Sequence, residues 1–160
     1  VFRKYFPGMA HAEIKAVAAD LGVRETRRIN GEYRLTVDDL VTGKDFPDTI
    51  GFSAYGWDLH PRPGETAVNG YTTPKPELTA IPYRIMIPKG ASNVICPGRA
   101  VSVERHVLGP LRVMAPVMAM GEAAGIAAAQ INDAAFRDVS IASVRDTLKH
   151  HGAIINRSDV

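Results

Sequence analysis

The sequence predicts a mixed α/β fold, of the α+β kind when the chain is read as a fragment. Three observations carry that reading. β-Branched runs closed by Pro or Gly stand at 83–90 ("YRIMIPKG") and 93–98 ("NVICPG"). A long Ala/Gly/Met stretch of helical length follows at 113–131. Extended signals around Asn30-Gly31 put antiparallel pairing in the first half of the chain, with a strand-to-helix unit in the second.

Taken in order, residues 11–22 place Ile14, Val17, Ala18 and Leu21 at helical spacing with Gly22 as a stop, which predicts an amphipathic helix. Residues 24–29 and 32–35 then read as the arms of a hairpin turning at Asn30-Gly31. In "TVDDLVTGK", Thr36 is the expected N-cap of a short helix, with Asp39 as its capping-box partner. From 46 to 82 the chain is rich in Gly, Pro, Thr and aromatics, and one strand near 50–59 followed by a long loop is expected there. Strands at 83–90 and 93–98 come next, then the helix of 113–131, whose Gly121, Ala124, Gly125 and Ala128 suit close packing on a sheet. A last amphipathic helix runs between Ser140 as N-cap and Gly152 as C-cap.

Composition narrows the function classes. A chain of 160 residues that is 46% hydrophobic and 22% charged has a globular make-up and length for one ordinary domain. Nineteen basic residues against seventeen acidic ones leave a net charge of +2, too little to build a field for nucleic acid or a membrane surface. The apolar stretch 113–131 contains Pro116, Glu122 and Gln130 and is read as a core helix, not a membrane span. Cys96 is the single cysteine, so no internal disulfide can form; it is expected as a buried strand thiol in a reducing compartment. A cytoplasmic location is the provisional expectation: the chain begins as though entered partway through, with no basic-then-apolar signal pattern, and any export signal would lie upstream of it.

The chemistry concentrates at 94–114. A strand ending in Gly98 lets a ligand approach the backbone, and a helix starting near Val113 offers amide hydrogens and partial positive charge to an electronegative group. The run "IPYRIMIPKGASNVICPGRAVSVERHVLGPLRVMAPVMAMGEAAGIAAAQ" resembles the C-terminal signature of the large family of FAD-dependent oxidoreductases. "GVRETRRINGEYRLTVDDL" and "WDLHP" are similar to that family's preceding substrate-side segment, so the likeness covers almost the whole chain.

This resemblance implies a two-lobed flavoprotein of Rossmann type and FAD as cofactor. It implies that 1–84 belongs to a substrate-side lobe, that 85–135 is the returning strand and helix of the FAD-binding domain, and that 136–160 is a terminal helix and tail. No G-x-G-x-x-G occurs here, so an N-terminal half carrying that fingerprint is the expected missing partner. By position, the flavin seat falls on Gly98, Arg99, Arg112, Val113 and Met114. The amides near Val113 and Met114 would face the C2 carbonyl of the ring, where charge gathers on reduction. Pro110 departs from the family pattern and removes one amide hydrogen from the loop before the helix.

The bland readings stand beside these. Arg99 also reads as a solvated strand-end charge, and Arg112 as the ion-pair partner of Glu104 or Glu122. Arg24, Arg27, Arg28 and Arg34 would alternate faces on a hairpin and so not form one patch throughout, with Arg27 read either as pointing at the substrate lobe or cofactor or as a surface charge. His60 and His106 are the candidate acid/base groups, and Asp58-x-His60 without a third ligand makes no metal site. Trp57, Tyr55, Tyr71 and Tyr83 suit either a sugar-like ring or simple packing. The leading expectation is hydride transfer from a small-molecule substrate, carbohydrate-related on the strength of those aromatics, to FAD, with the isolated chain inactive. The alternative is a non-catalytic ligand- or glycan-binding module. A hydrolase built on Asp58, His60 and His106 lacks a G-x-S-x-G nucleophile.

Overall fold

The computed structural model describes residues 1–59 and 77–160. Helix α1 (Phe2–Tyr5) and α2 (Val37–Val41) precede two strands, β1 (Thr49–Ser53) and β2 (Thr79–Pro82). The helices α3 (Leu108–Leu111), α4 (Met114–Gln130) and α5 (Ile141–His150) follow. β1 and β2 pair antiparallel, Thr49 opposite Pro82 and Phe52 opposite Ala80, with an irregularity in register between Thr49 and Phe52. The mixed α/β class expected from the sequence is the one observed.

One apolar core joins the chain from Leu35 to Ile155. Helix α4 lays Met120, Ala123 and Ala127 against β1, and α5 adds Val144 and Leu148. Fully burying a side chain such as Leu108 or Ile81 contributes about 1.5–3 kcal/mol, so these contacts outweigh any intrinsic helix propensity. Among the described residues no helix is long and apolar enough to cross a membrane.

Where the sequence carries complete local instructions, the structure follows them. Thr36 Oγ accepts from the Asp39 amide at 3.2 Å, and the Asp39 carboxylate accepts from the Thr36 amide at 3.0 Å, closing the capping box of α2. Tyr33 and Lys44 add bonds of 2.8 Å each to that carboxylate. Ser140 caps α5, and Gly152, at φ 85°, ends it.

Several expectations give way in the structure. Residues 11–22 form no helix: Ile14, Val17 and Leu21 are 82–90% exposed, and a helix whose apolar stripe meets no partner lacks the packing that would hold it. The hairpin at Asn30-Gly31 is replaced by longer-range pairing. Glu32 N–H donates to Ile87 C=O and Leu35 N–H to Ser102 C=O, with bridges Gly31–Pro88 and Leu35–Val103. Gly31 is required by close approach, since a Cβ there would lie 2.6 Å from that of Ser102.

The first of the two later strands opens instead as a 3-10 turn, Tyr83–Met86. Asp48 draws the backbone in: its carbonyl accepts from Tyr83 N–H at 2.9 Å and its carboxylate from Arg84 N–H at 3.0 Å, while the Arg84 guanidinium forks onto both carboxylate oxygens. Residues 93–98 are extended but enter no ladder among the described residues; Cys96 N–H donates to Met86 C=O, and the thiol is half-buried, not buried. Finally, β1 stops at Ser53, well short of 59, and Gly121, Gly125 and Ala128 of α4 face outward, with Met120, Ala123, Ala124 and Ala127 making the packed face.

Candidate functional site

Helix α4 starts from Val113, which is extended (φ −82°, ψ 163°) and gives no side-chain cap, and no acidic residue follows in the first turn. Pro116 has no amide hydrogen and is tolerated there because the first turn needs none. The amides of Met114 and Ala115 therefore project from the positive end of a 17-residue helix without a side-chain cap to claim them.

Beneath this helix start lies Arg112, its side chain only 5% exposed. Its Nη2 donates to the Asp58 carbonyl at 2.7 Å and stands 3.8 Å from the Asp58 carboxylate. Gly109 also packs closely against Asp58; a Cβ there would meet Asp58 N at 2.9 Å. Asp58 is thereby fixed between α3 and Arg112. The pairing of Arg112 with Glu104 or Glu122 is corrected accordingly. Glu104 accepts from Val37 N–H at 3.0 Å, and Glu122 meets His151 Nδ1 at 3.1 Å.

On the near side, Gly98 is buried at φ 91°, a left-handed backbone that favours glycine. The Arg99 guanidinium reaches across to donate to the Val23 carbonyl. That contact, the Arg105–Glu25 ion pair at 3.4 Å and the Ile29 N–H to Ala100 C=O bond at 2.8 Å hold residues 23–29 alongside the turn.

Two cavities result. One of 460 Å³ lies between residues 23–27 and 97–100, with Val117 at its base. The other, of 250 Å³, is bounded by Arg24, Asp58, Arg99, Arg112 and Val113. They share Arg24 and Arg99 as walls, so they form one trough of small-molecule dimensions leading along the turn to the start of α4.

Of the residues singled out in the sequence, Gly98, Arg99, Arg112 and Val113 come together on this trough. Met114 is next along the helix, with its side chain 83% exposed. His106 sits in the turn before α3 and lines neither cavity. His60 and Tyr71 lie outside the described residues. Sequence reasoning did not place Arg24 or Gly109 at the site, and singled out Asp58 only beside His60 as an acid/base or metal candidate, not as the partner of Arg112. Arg24 and Asp58 are far from Arg112 in sequence, and only the small residue at 109 hinted at a close approach.

A left-handed glycine turn, converging arginines and an uncapped helix start are what a nucleotide-type cofactor needs: close backbone approach and compensation of negative charge. Residues 1–148 match the family described as FAD dependent oxidoreductase, and the chain belongs to that family. FAD is its cofactor and flavin-dependent oxidoreduction its chemistry. No curated protein and no solved structure matched. The trough fits the group: Gly98 puts no Cβ into it, and its helix-start and arginine donors suit the electronegative atoms of a flavin.

Proposed function

We propose that the chain supplies the ring-end seat of a flavin-dependent oxidoreductase, with Gly98, Arg99, Arg112, Val113 and Met114 bordering the cofactor, and that a small-molecule substrate gives up a hydride there. The observation that carries this reading is the convergence of Gly98, Arg99, Arg112 and Val113 on one trough at an uncapped helix start. FAD, when bound, supplies the hydride acceptor. The protein's own part is electrostatic and positional. Amides at the start of α4 stabilise negative charge placed before them, and Arg112, held by Asp58, adds a buried positive charge at the same spot. For proton handling at the substrate carbon we propose His60 and His106, the histidines to substitute first.

A second feature supports the reading. Along the outer face of α4, Met114, Met118, Gly121, Gly125 and Ala128 form an open apolar stripe, and a Cβ added at either glycine would meet nothing within 4 Å. We assign this stripe to contact with a nucleotide-binding half that carries the glycine fingerprint.

Met114→Glu tests the proposal. A carboxylate in the first turn favours the helix by about 0.3–1 kcal/mol, so melting should hold or rise slightly. The same charge opposes an electron-rich ring, and FAD affinity of the full-length gene product should fall roughly tenfold, equivalent to about 1.4 kcal/mol. Unchanged FAD affinity in a folded Met114→Glu protein would place the ring elsewhere.

A further inference from the structure

The wall of the trough opposite α4 is built from residues 23–27, which belong to none of the flavin-seat positions above. Arg24 borders both cavities, Arg27 borders the larger, and Arg99 joins them. Among the described residues, four arginines, counting Arg112, border the trough against two carboxylates, Glu25 and Asp58. Each of those carboxylates already meets an arginine of its own, Arg105 at 3.4 Å and Arg112 at 3.8 Å. Among the described residues positive charge therefore outnumbers negative along this trough, on a chain whose total is only +2.

A concave site lined by one sign of charge concentrates ligands of the other. Guanidinium groups on two walls match the flat, two-oxygen edge of a carboxylate or phosphate group better than any neutral ligand. We propose that Arg24 and Arg99 form an oxyanion-binding clamp across the trough, taking a phosphate or carboxylate group between the 23–27 segment and the turn at Gly98. The anion belongs either to the cofactor's diphosphate or to an acidic substrate; that choice of sources rests on the flavin reading, whereas the clamp itself does not. Arg99 spends one donor on the Val23 carbonyl, and a guanidinium carries further N–H donors, so the contact that joins the walls still leaves Arg99 able to bind an anion.

Inorganic pyrophosphate and succinate serve as probes, titrated calorimetrically into the full-length gene product. Pyrophosphate should bind, and both Arg24→Gln and Arg99→Gln should weaken it at least tenfold. Lys149→Gln, which removes an exposed charge on α5, should leave the affinity unchanged. Arg99→Lys keeps the charge but not the fork and should fall between, which covers the case of Arg99→Gln loosening the segment. If saturating FAD excludes pyrophosphate, the anion is the cofactor's. If pyrophosphate or succinate still binds and perturbs the visible spectrum of the flavin, it is the substrate's. No binding of either probe, or binding indifferent to Arg24→Gln and Arg99→Gln, overturns the clamp even in a protein that holds FAD. A colourless protein that binds pyrophosphate through both arginines keeps the clamp and defeats the flavin reading.

Discussion

Gly109→Ala puts a methyl group 2.9 Å from the Asp58 backbone nitrogen and 3.4 Å from its carbonyl carbon and oxygen. Ordinary contact begins near 3.4 Å, so Asp58 or α3 must give way by about half an ångström. Neither is free to do so. Asp58 is tied to Arg112 at 2.7 Å, and all four residues of α3 are buried. Overpacking of this kind costs about 1–3 kcal/mol, while Gly to Ala in a helix returns at most about 1 kcal/mol. Since the displaced carbonyl also accepts from the buried Arg112, a net loss of roughly 2 kcal/mol is expected. In a chain of this size that lowers the melting midpoint by about 4–8 °C. Equilibrium urea unfolding followed by circular dichroism, with a thermal melt, measures both quantities. A Gly109→Ala protein within about 0.5 kcal/mol of the parent would show that Asp58 is not clamped as described, and with it the positioning of Arg112 would fall.

Gly121→Ala is the opposite case: no described neighbour meets the new Cβ, so stability should rise by up to about 1 kcal/mol, whereas FAD affinity should fall if the proposed nucleotide-binding half covers the stripe. Tyr83→Phe leaves the Phe136 carbonyl without the hydroxyl that donates to it at 3.1 Å, a loss of about 1–3 kcal/mol by denaturant titration. Burial pushes the Tyr83 phenol up from 10.0 to about 12. Its contribution is whole below the ordinary tyrosine range and fades as pH climbs toward about 12, a slope that an alkaline melt series should show and Tyr83→Phe should remove. Burial also pushes the Asp39 carboxyl up, but bonds from Lys44, Thr36 and Tyr33 outweigh it and hold the carboxyl below its ordinary value. Asp39 thus stabilises the fold above that ordinary value, and the contribution disappears as pH falls through the depressed one. Asp39→Asn should therefore cost about 1–3 kcal/mol at neutral pH and flatten the acid limb of the stability curve.

What was legible in the sequence was what short spacing decides. Thr36 and Asp39 sit three apart and cap α2, Ser140 and Gly152 bound α5, and the small-residue run at 113–131 is α4 to within a residue at each end. Segments whose partners lie far along the chain were not legible. Residues 11–22 have helical spacing but nothing to pack on, so periodicity alone misleads there. Asn30-Gly31 carries a turn signal, yet Gly31 is needed because Ser102 stands against it, and Tyr83–Met86 curls because Asp48, more than thirty residues earlier, gathers its amides and the Arg84 side chain. The site follows the same division. Gly98, Arg99, Arg112 and Val113 could be named from family resemblance, and the trough they line is visible only in three dimensions. Asp58 enters it through its long-range bond with Arg112, and Arg24 through a segment held by Arg99 and Arg105, neither of which a local pattern encodes.

The visible absorption spectrum of the purified full-length gene product tests the central claim most directly. Flavin bands, present on purification or regained with added FAD and weakened by Met114→Glu, are the result this structure predicts. A colourless protein that takes up no FAD would contradict the assignment of the α4 trough as a flavin seat.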